Sequence, residues 1–283
     1  MNRRTFIKRL MGSALAVLGI GGGTYYYARE IEPAMLHIQE EIILSGKLSP
    51  DFDGFKIIQF SDTHIGFHYN LGAFKKLVKT INDLSPDLIV FTGDLVDDPD
   101  TYNWREPLAD ALQSLQAPYG KFWVYGNHDH GGYGTEILNE VMTDSGFELL
   151  KNAHAKIGSN DESIVLAGID DTILGRPDLE QALSSVNPEL FTILLAHEPD
   201  FADTGKRSHA DVQLSGHSHG GQVRLPFIGH LYTPADAKKY IQGKYEFPEQ
   251  SYTLYVSKGI GTTRMPYRFL CRPEIHVYTL KAE

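Results

Sequence analysis

Five short clusters in this 283-residue chain carry the side chains best suited to chemistry: Asp62-Thr63-His64, Gly93-Asp94-Leu95-Val96-Asp97, Gly126-Asn127-His128-Asp129, His197-Glu198 and Gly216-His217-Ser218-His219. Carboxylate oxygen, amide oxygen and imidazole nitrogen, with no thiolate, form a donor set for divalent ions such as Mn, Fe, Zn or Mg. On an extended backbone residues i and i+2 point the same way, so Asp62 with His64, and His217 with His219, can each aim two donors at one centre. Glycines at 93, 126 and 216 directly precede Asp94, Asn127 and His217. A residue without Cβ permits a sharp turn and lets backbone pass close to a bound ion. Each cluster alone is weak: a DxH occurs by chance, a GNHD reads as a turn, and one histidine can be buried and satisfied. Their joint occurrence, in order, each behind an apolar run, is the informative observation.

Those runs are the elements that must position the donors. Phe55 to Phe60, Leu88 to Thr92, Phe122 to Tyr125, Ile164 to Ile169, Phe191 to Ala196, Val212 to Leu214, Leu254 to Val256 and Ile275 to Thr279 are short and nearly all apolar. Strands covered on both faces have this character. Helical patterns fall at Leu71 to Leu84, Trp104 to Leu115, Thr135 to Ser145 and Leu179 to Val186, the first closed by Ser85-Pro86. The alternation predicts an α/β fold of helix-covered sheets in one domain from about residue 50 to 283. In such sheets ligands bind at the carboxyl ends of strands, where all five clusters stand.

Composition bounds the partners. Twenty-six basic against 36 acidic residues give a net charge of −10. Five of the basic residues and one of the acidic lie in the first thirty, which leaves −14 on the remainder. Nucleic acid is therefore excluded as the main partner, because phosphate-backbone binding needs a large basic surface. A single cysteine, Cys271, excludes an intrachain disulfide and a cysteine-based zinc site.

The amino terminus reads as an address. Arg3-Arg4-Thr5-Phe6-Ile7-Lys8 is a twin-arginine pair ahead of an uncharged stretch from Leu10 to Ala28. Basic then apolar is the order of an export signal, and the paired arginines point to the twin-arginine machinery as a partner. The uncharged stretch approaches the roughly 20 residues that span a bilayer, so residues 1–30 serve as export signal or amino-terminal anchor. Residues 31–54 are expected to be a stalk or lead-in, and 55–283 the catalytic domain. The expected location is the cell envelope, whether membrane-anchored, wall-bound or secreted.

Taken together, Asp62-x-His64, Gly93-Asp94-x-x-Asp97, Gly126-Asn127-His128-Asp129, His197 and Gly216-His217-x-His219 resemble the full signature of the calcineurin-like metallophosphoesterases. The resemblance runs from about Phe55 to Leu280 and lies nearest the exported YkuE/YaeI-type branch, through the leader, Gly126 to Tyr133 and Ser215 to Gln222. It implies a four-layer αββα sandwich of mixed sheets flanked by helices, and a binuclear centre. Asp62, His64 and His219 would hold one metal, Asn127, His197 and His217 the other, with Asp94 bridging. The expected cofactors are two divalent ions, Mn favoured among Mn, Fe, Zn and Mg.

The implied activity is hydrolysis of phosphomonoesters or phosphodiesters by metal-bound hydroxide, since a divalent ion lowers the pKa of water from about 15.7 to near 7. His128 is the expected catalytic acid for the leaving alcohol, with Asp129 or Asp97 either orienting it or serving a structural part. Expected substrates are envelope phosphoesters, cell-wall polymers or lipid-linked sugars among them, with membrane or wall association. Two other readings stand beside it: a pyrophosphohydrolase of the UDP-2,3-diacylglucosamine type, favoured by an apolar groove beside the metals, and a non-catalytic metal-binding envelope protein. Arg264, Arg268 and Arg272 read as phosphate forks or, slightly favoured, as a salt-bridged surface. His130 is a pocket candidate, and Gln222 to Gln250 an insertion overhanging the site.

Overall fold

Ile57 and Ile58 are chain neighbours, yet they enter different cores. Successive side chains on a strand point to opposite faces, so an unbroken apolar run serves a sheet that is covered twice. The computed structural model describes residues 3–5, 19–105, 107–130, 134–159 and 162–283. Phe6 to Lys8, the uncharged run from Leu10 to residue 18 and Gly131-Gly132-Tyr133 lie outside the described residues.

In chain order the strands are β1 (His37–Ser45), β2 (Lys56–Phe60), β3 (Leu88–Phe91), β4 (Lys121–Trp123), β5 (Phe147–Leu149), β6 (Ala153–Ser159) and β7 (Glu162–Gly168). There follow β8 (Thr192–Leu195), β9 (Val212–Ser215), β10 (Arg224–Leu225), β11 (Gly229–His230), β12 (Gly243–Phe247), β13 (Tyr252–Val256) and β14 (Glu274–Ala282). Among the described residues they form two six-stranded mixed sheets, ordered β1-β14-β2-β3-β4-β5 and β12-β13-β9-β8-β7-β6, and a small β10-β11 hairpin.

Three cores separate four layers. Ile57, Leu88, Val90 and Phe122 of the first sheet meet Leu166, Ile193, Leu195 and Leu214 of the second between the sheets. Ile58, Phe60, Ile89 and Phe91 turn outward onto helices Leu71–Asp83, Leu108–Gln113 and Gly134–Asp144. Val165, Ala167 and Leu194 turn outward on the other side with Ala182, Leu183 and Ala202. This is the expected αββα sandwich. Burying a side chain of this size stabilises by about 1.5–3 kcal/mol, so each central strand contributes on both faces.

Register carries the clusters to one place. Phe60 pairs with Phe91 and Phe91 with Trp123 in parallel, while Leu195 pairs with Leu214 in the other sheet. The loops after β2, β3, β4, β8 and β9 thus leave at the same end. Beneath them the buried Gln59 Nε2 donates to Thr92 Oγ1 at 2.9 Å and to the Ser215 carbonyl at 3.1 Å, tying the sheets together where the loops depart.

Three expectations need correction. Part of the 31–54 segment is no stalk: β1 lies along β14 in parallel from His37↔Glu274 to Ser45↔Ala282. Its edge position, with exposed and half-covered residues mixed and Ile43 buried, explains why HIQEEIILS has no clean period. The helix expected over Trp104 to Leu115 is confined to Leu108–Gln113, and that over Leu179 to Val186 to Leu179–Ala182. The Gln222 to Gln250 stretch is more than an overhang, since it also supplies the edge strand β12, antiparallel to β13. Among the described residues, no helix is long and apolar enough to cross a membrane.

Candidate metal centre

The loops turn sharply as soon as they leave the sheets. Asp62 (φ 53°), His64 (42°), Asp94 (63°), His217 (65°) and His219 (51°) all sit at positive φ, a region in which non-glycine residues cost free energy. The i, i+2 pairs therefore converge through left-handed backbone, and not along extended chain as their spacing alone implies. Gly93, at φ 97°, stands so close to its neighbours that a Cβ would lie 2.6 Å from both Gly126 N and His197 Nδ1. At Gly216 it would lie 2.0 Å from Ser61 Oγ and 2.4 Å from Asp62 Oδ2. Both positions exclude a side chain so that donor loops can touch.

Six of the seven residues expected as ligands meet here, in two donor groups. Asp62, His64 and His219 form one, Asp94, His197 and His217 the other, all buried. In the first, His64 Nε2 lies 3.1 Å from His219 Nε2, and His219 Nε2 lies 3.5 Å from Asp62 Oδ1. In the second, His217 Nδ1 lies 3.2 Å from His197 Nε2. Asp94 joins them, its Oδ2 standing 3.4 Å from His64 Nε2 and 3.2 Å from His197 Nε2. Asn127 supplies a buried Oδ1 with no hydrogen-bond partner.

Outward hydrogen bonds decide which ring nitrogens face inward. His197 Nδ1 lies 2.5 Å from the Thr92 carbonyl, His217 Nε2 2.8 Å from the Ala235 carbonyl, and His64 Nδ1 3.1 Å from Asp97 Oδ1. Each acceptor takes the outer N–H and leaves the opposite nitrogen for the centre, the usual arrangement behind metal-ligating histidines. His217 uses Nδ1, whereas His64 and His197 use Nε2.

The charge pattern fits a cation. Burial pushes Asp94 upward, but His197 and His128 outweigh it and hold the carboxyl well below its ordinary value. Burial pulls His197 down, yet the charge of Asp94 and the hydrogen bond to it raise the imidazole well above 6.5. His217 is pushed down to about 3 by burial and by His197, and His219 well below 6.5 by burial and His64, so both rings are neutral donors. Two buried carboxyl groups, an unpartnered amide oxygen and the neutral rings of His217 and His219 are donors that divalent ions use, and a cation beside Asp94 would take the place of the proton that Asp94 draws onto His197.

His128 stands at the mouth. Its backbone N–H donates to Asp94 Oδ1 at 2.8 Å, its Nδ1 lies 2.6 Å from the Asp97 carbonyl, and its ring meets that of His64 edge-on at 4.5 Å. Burial lowers its pKa, but Asp94, the Asp97 carbonyl and the Asp97 carboxylate raise it above 6.5 overall.

Of the two residues expected to orient His128, Asp97 does so through its backbone carbonyl while its carboxylate turns elsewhere, and Asp129 does other work. The Asp97 carboxylate contacts His64, and lies 3.9 Å from His128. Asp129 clamps two loops: its carboxylate accepts from Asp94 N at 2.7 Å, Leu95 N at 3.0 Å and Gly126 N at 2.9 Å. Neither role is visible in the spacing, because the partners stand about 33 to 35 positions away or on the backbone. Arg268 is no phosphate fork and, among the described residues, has no salt bridge. It is fully buried and donates to the carbonyls of Gly261, Cys271 and Lys258. Arg264 is exposed and stacks on Tyr232 at 5.3 Å, and Arg272 is exposed. His130 Nε2 pairs with Asp170 Oδ1 at 2.7 Å, beside a recess shared with Asn127 and His128.

Residues 55–221 match the model of the calcineurin-like phosphoesterase family, which covers every donor above. The chain belongs to that family. Over 283 residues it is 46% identical to the uncharacterized metallophosphoesterase YkuE of Bacillus subtilis, spanning 100% of this chain and 98% of that protein. It is 30% identical to the phosphodiesterase YaeI of Escherichia coli, over 80% of this chain and 82% of that one. It is also 30% identical to the UDP-2,3-diacylglucosamine pyrophosphatase LpxG of Chlamydia trachomatis, over 89% and 91%. As a calcineurin-like phosphoesterase the chain is a metal-dependent phosphoric ester hydrolase, and its two donor groups are where the ions of this family can be held.

Proposed function

We propose that this phosphoesterase cleaves P–O bonds of an envelope-associated phosphomonoester or phosphodiester, exported by the twin-arginine route that Arg3-Arg4 addresses. Asp62, His64 and His219 hold one divalent ion, Asn127, His197 and His217 a second, with Asp94 shared and manganese favoured. When bound, such a pair makes water acidic enough to act as nucleophile near neutral pH and polarises the phosphoryl oxygens. The observation that carries this reading is the placement of Asp94 Oδ2, between His64 Nε2 and His197 Nε2 at 3.4 and 3.2 Å.

The chain's own residues do the rest. Asp97, the Thr92 carbonyl and the Ala235 carbonyl hold three imidazoles in the tautomer that points a lone pair inward. His128, with Nδ1 engaged by the Asp97 carbonyl, has Nε2 left to hand a proton to the leaving oxygen. Against the effect of burial, Asp94 and Asp97 raise its pKa above 6.5, which favours the protonated ring.

A second reading rests on a specific feature. Beside His219 lies a cavity of about 340 Å³ lined chiefly by apolar atoms of Val223, Leu231, Tyr232, Pro234, Met265 and Tyr267. It has room for part of an acyl chain, which favours a pyrophosphohydrolase acting on a nucleotide-linked lipid, as LpxG is described. Turnover of a monoester, a soluble diester and a UDP-linked diacyl lipid, each with Mn, Fe, Zn and Mg, separates the readings. Preference for a monoester or soluble diester supports the first, preference for the lipid supports the second, and no turnover with metal bound removes both.

A further inference from the structure

The hairpin β10-β11 presents Phe227 and Ile228 at its tip, Phe227 fully exposed and Ile228 70% exposed. Two adjacent large apolar side chains in water are costly, and clustered exposure marks an interaction surface. The hairpin is tied to a second apolar segment, since Arg224 N donates to the Phe269 carbonyl at 2.9 Å and Phe269 N to the Gln222 carbonyl at 3.0 Å. That segment exposes Met265 and Leu270, and Met265 shares the cavity beside His219 with Leu231. An apolar border thus runs from the hairpin tip to the edge of the metal centre.

The amino-terminal segment reaches the same border. Arg268 N donates to the Ala28 carbonyl at 2.8 Å, Tyr25 meets Tyr267 edge-on at 5.5 Å, and Tyr27 meets Phe269 at 6.3 Å. The buried Glu32 carboxylate takes the N–H groups of Leu270 and Cys271. Residues 19–26 continue as an exposed helix from there, and the sequence ahead of them is uncharged back to Leu10. The one long apolar stretch of the chain therefore enters the domain beside this border.

Charge is distributed to match. Residues 258–273 hold no acid, and of their basic residues Arg268 is buried and Lys258 pairs with Glu274, which leaves Arg264 and Arg272 exposed at this border. Arg264 and Lys238 both lie over the Tyr232 ring, at 5.3 and 5.1 Å, on the rim of the cavity. Exposed apolar side chains beside basic ones suit the boundary between acyl chains and anionic headgroups.

We propose that this border is a membrane-docking face. Phe227 and Ile228 enter the interface of an anionic phospholipid bilayer, and the amino-terminal helix lies against the same bilayer. The mouth of the metal centre is then held at headgroup level. Docking does not depend on the chemistry at Asp94, so its test separates from that of the reaction.

The test uses the full chain in vesicles of phosphatidylglycerol and phosphatidylcholine. A polarity-sensitive fluorophore is placed on Ile228→Cys, and a control on Glu189→Cys in the exposed loop before β8, at the opposite end of the sheets. Cys271 is buried and stays unlabelled. The label at 228 is expected to shift to the blue and to be quenched by spin-labelled lipid, while that at 189 stays water-like. A water-like, unquenched label at 228 overturns the proposal. So does a blue shift without vesicles that grows with protein concentration, which would assign the face to a second copy. Phe227→Ser with Ile228→Ser should slow hydrolysis of a vesicle-embedded phosphodiester about tenfold, the scale of losing two interfacial side chains, with a soluble diester unaffected. Equal rates on both substrates contradict docking. Failure of the wild type to cleave any phosphoester offered, with metal bound, counts against the reaction, and leaves the quenching result to decide docking.

Discussion

The Asp97 carboxylate sits 3.1 Å from His64 Nδ1, on the opposite side of the ring from the Nε2 that faces His219. An N–H given to this carboxylate from Nδ1 leaves Nε2 as the nitrogen that can bind a cation. Carboxylates behind metal-bound histidines typically account for 10- to 100-fold in affinity. Asp97→Ala should therefore weaken metal binding by roughly 10- to 100-fold, read as a shift in the metal concentration giving half-maximal turnover. An unchanged activation curve would show that His64 is held by other means.

His128 should behave differently, because it belongs to neither of the two donor groups that Asp94 joins, although its ring nitrogen clusters with one of His64 and with the Asp97 carboxylate at the mouth. His128→Ala is expected to lower kcat by about 10²- to 10⁴-fold, the usual contribution of a positioned acid, with metal content unaltered. Its pKa is raised above 6.5 by Asp94 and Asp97 against the effect of burial. The wild type should accordingly lose kcat as pH rises past that raised value and the proton leaves. The variant should lack this limb. A limb that persists in His128→Ala assigns the acid elsewhere.

Glu274 gives a stability prediction away from the donors. Burial raises its pKa, but the hydrogen bond from His276 at 3.0 Å and the charges of His276 and Lys258, the latter 2.7 Å away, hold it at about 2 against an ordinary 4.5. A carboxyl depressed on folding stabilises above its unfolded pKa and loses that contribution as pH falls. The window is from about 4.5 down to about 2, and the contribution is on the order of 3 kcal/mol. Urea midpoints of metal-free wild type and Glu274→Gln should differ most at neutral pH and converge through that window. A difference independent of pH would remove Glu274 from the account.

Much of the centre was legible because its donors directly follow strands buried on both faces. The runs before Asp62, Asp94, Asn127, His197 and His217 are too apolar to be anything but interior, and parallel register then aligns their ends. Backbone sign was not legible, for nothing in the identities of Asp62 or His64 announces positive φ. The role of Asp97 stayed open between orienting His128 and a structural part for a related reason. Its spacing from Asp94 places it at the mouth, but whether its carboxylate meets His64 or His128 depends on a turn 33 residues away. Strand β1 escaped notice because an edge strand with a half-exposed pattern shows no clean alternation.

The central claim is that Asp94 joins two cations held by separate donor groups. Metal content of the purified chain after reconstitution, compared with Asp94→Ala, tests it most directly. Two divalent ions per wild-type polypeptide and near-complete loss in the variant are predicted. One ion or none in the wild type, or full content in Asp94→Ala, would contradict it.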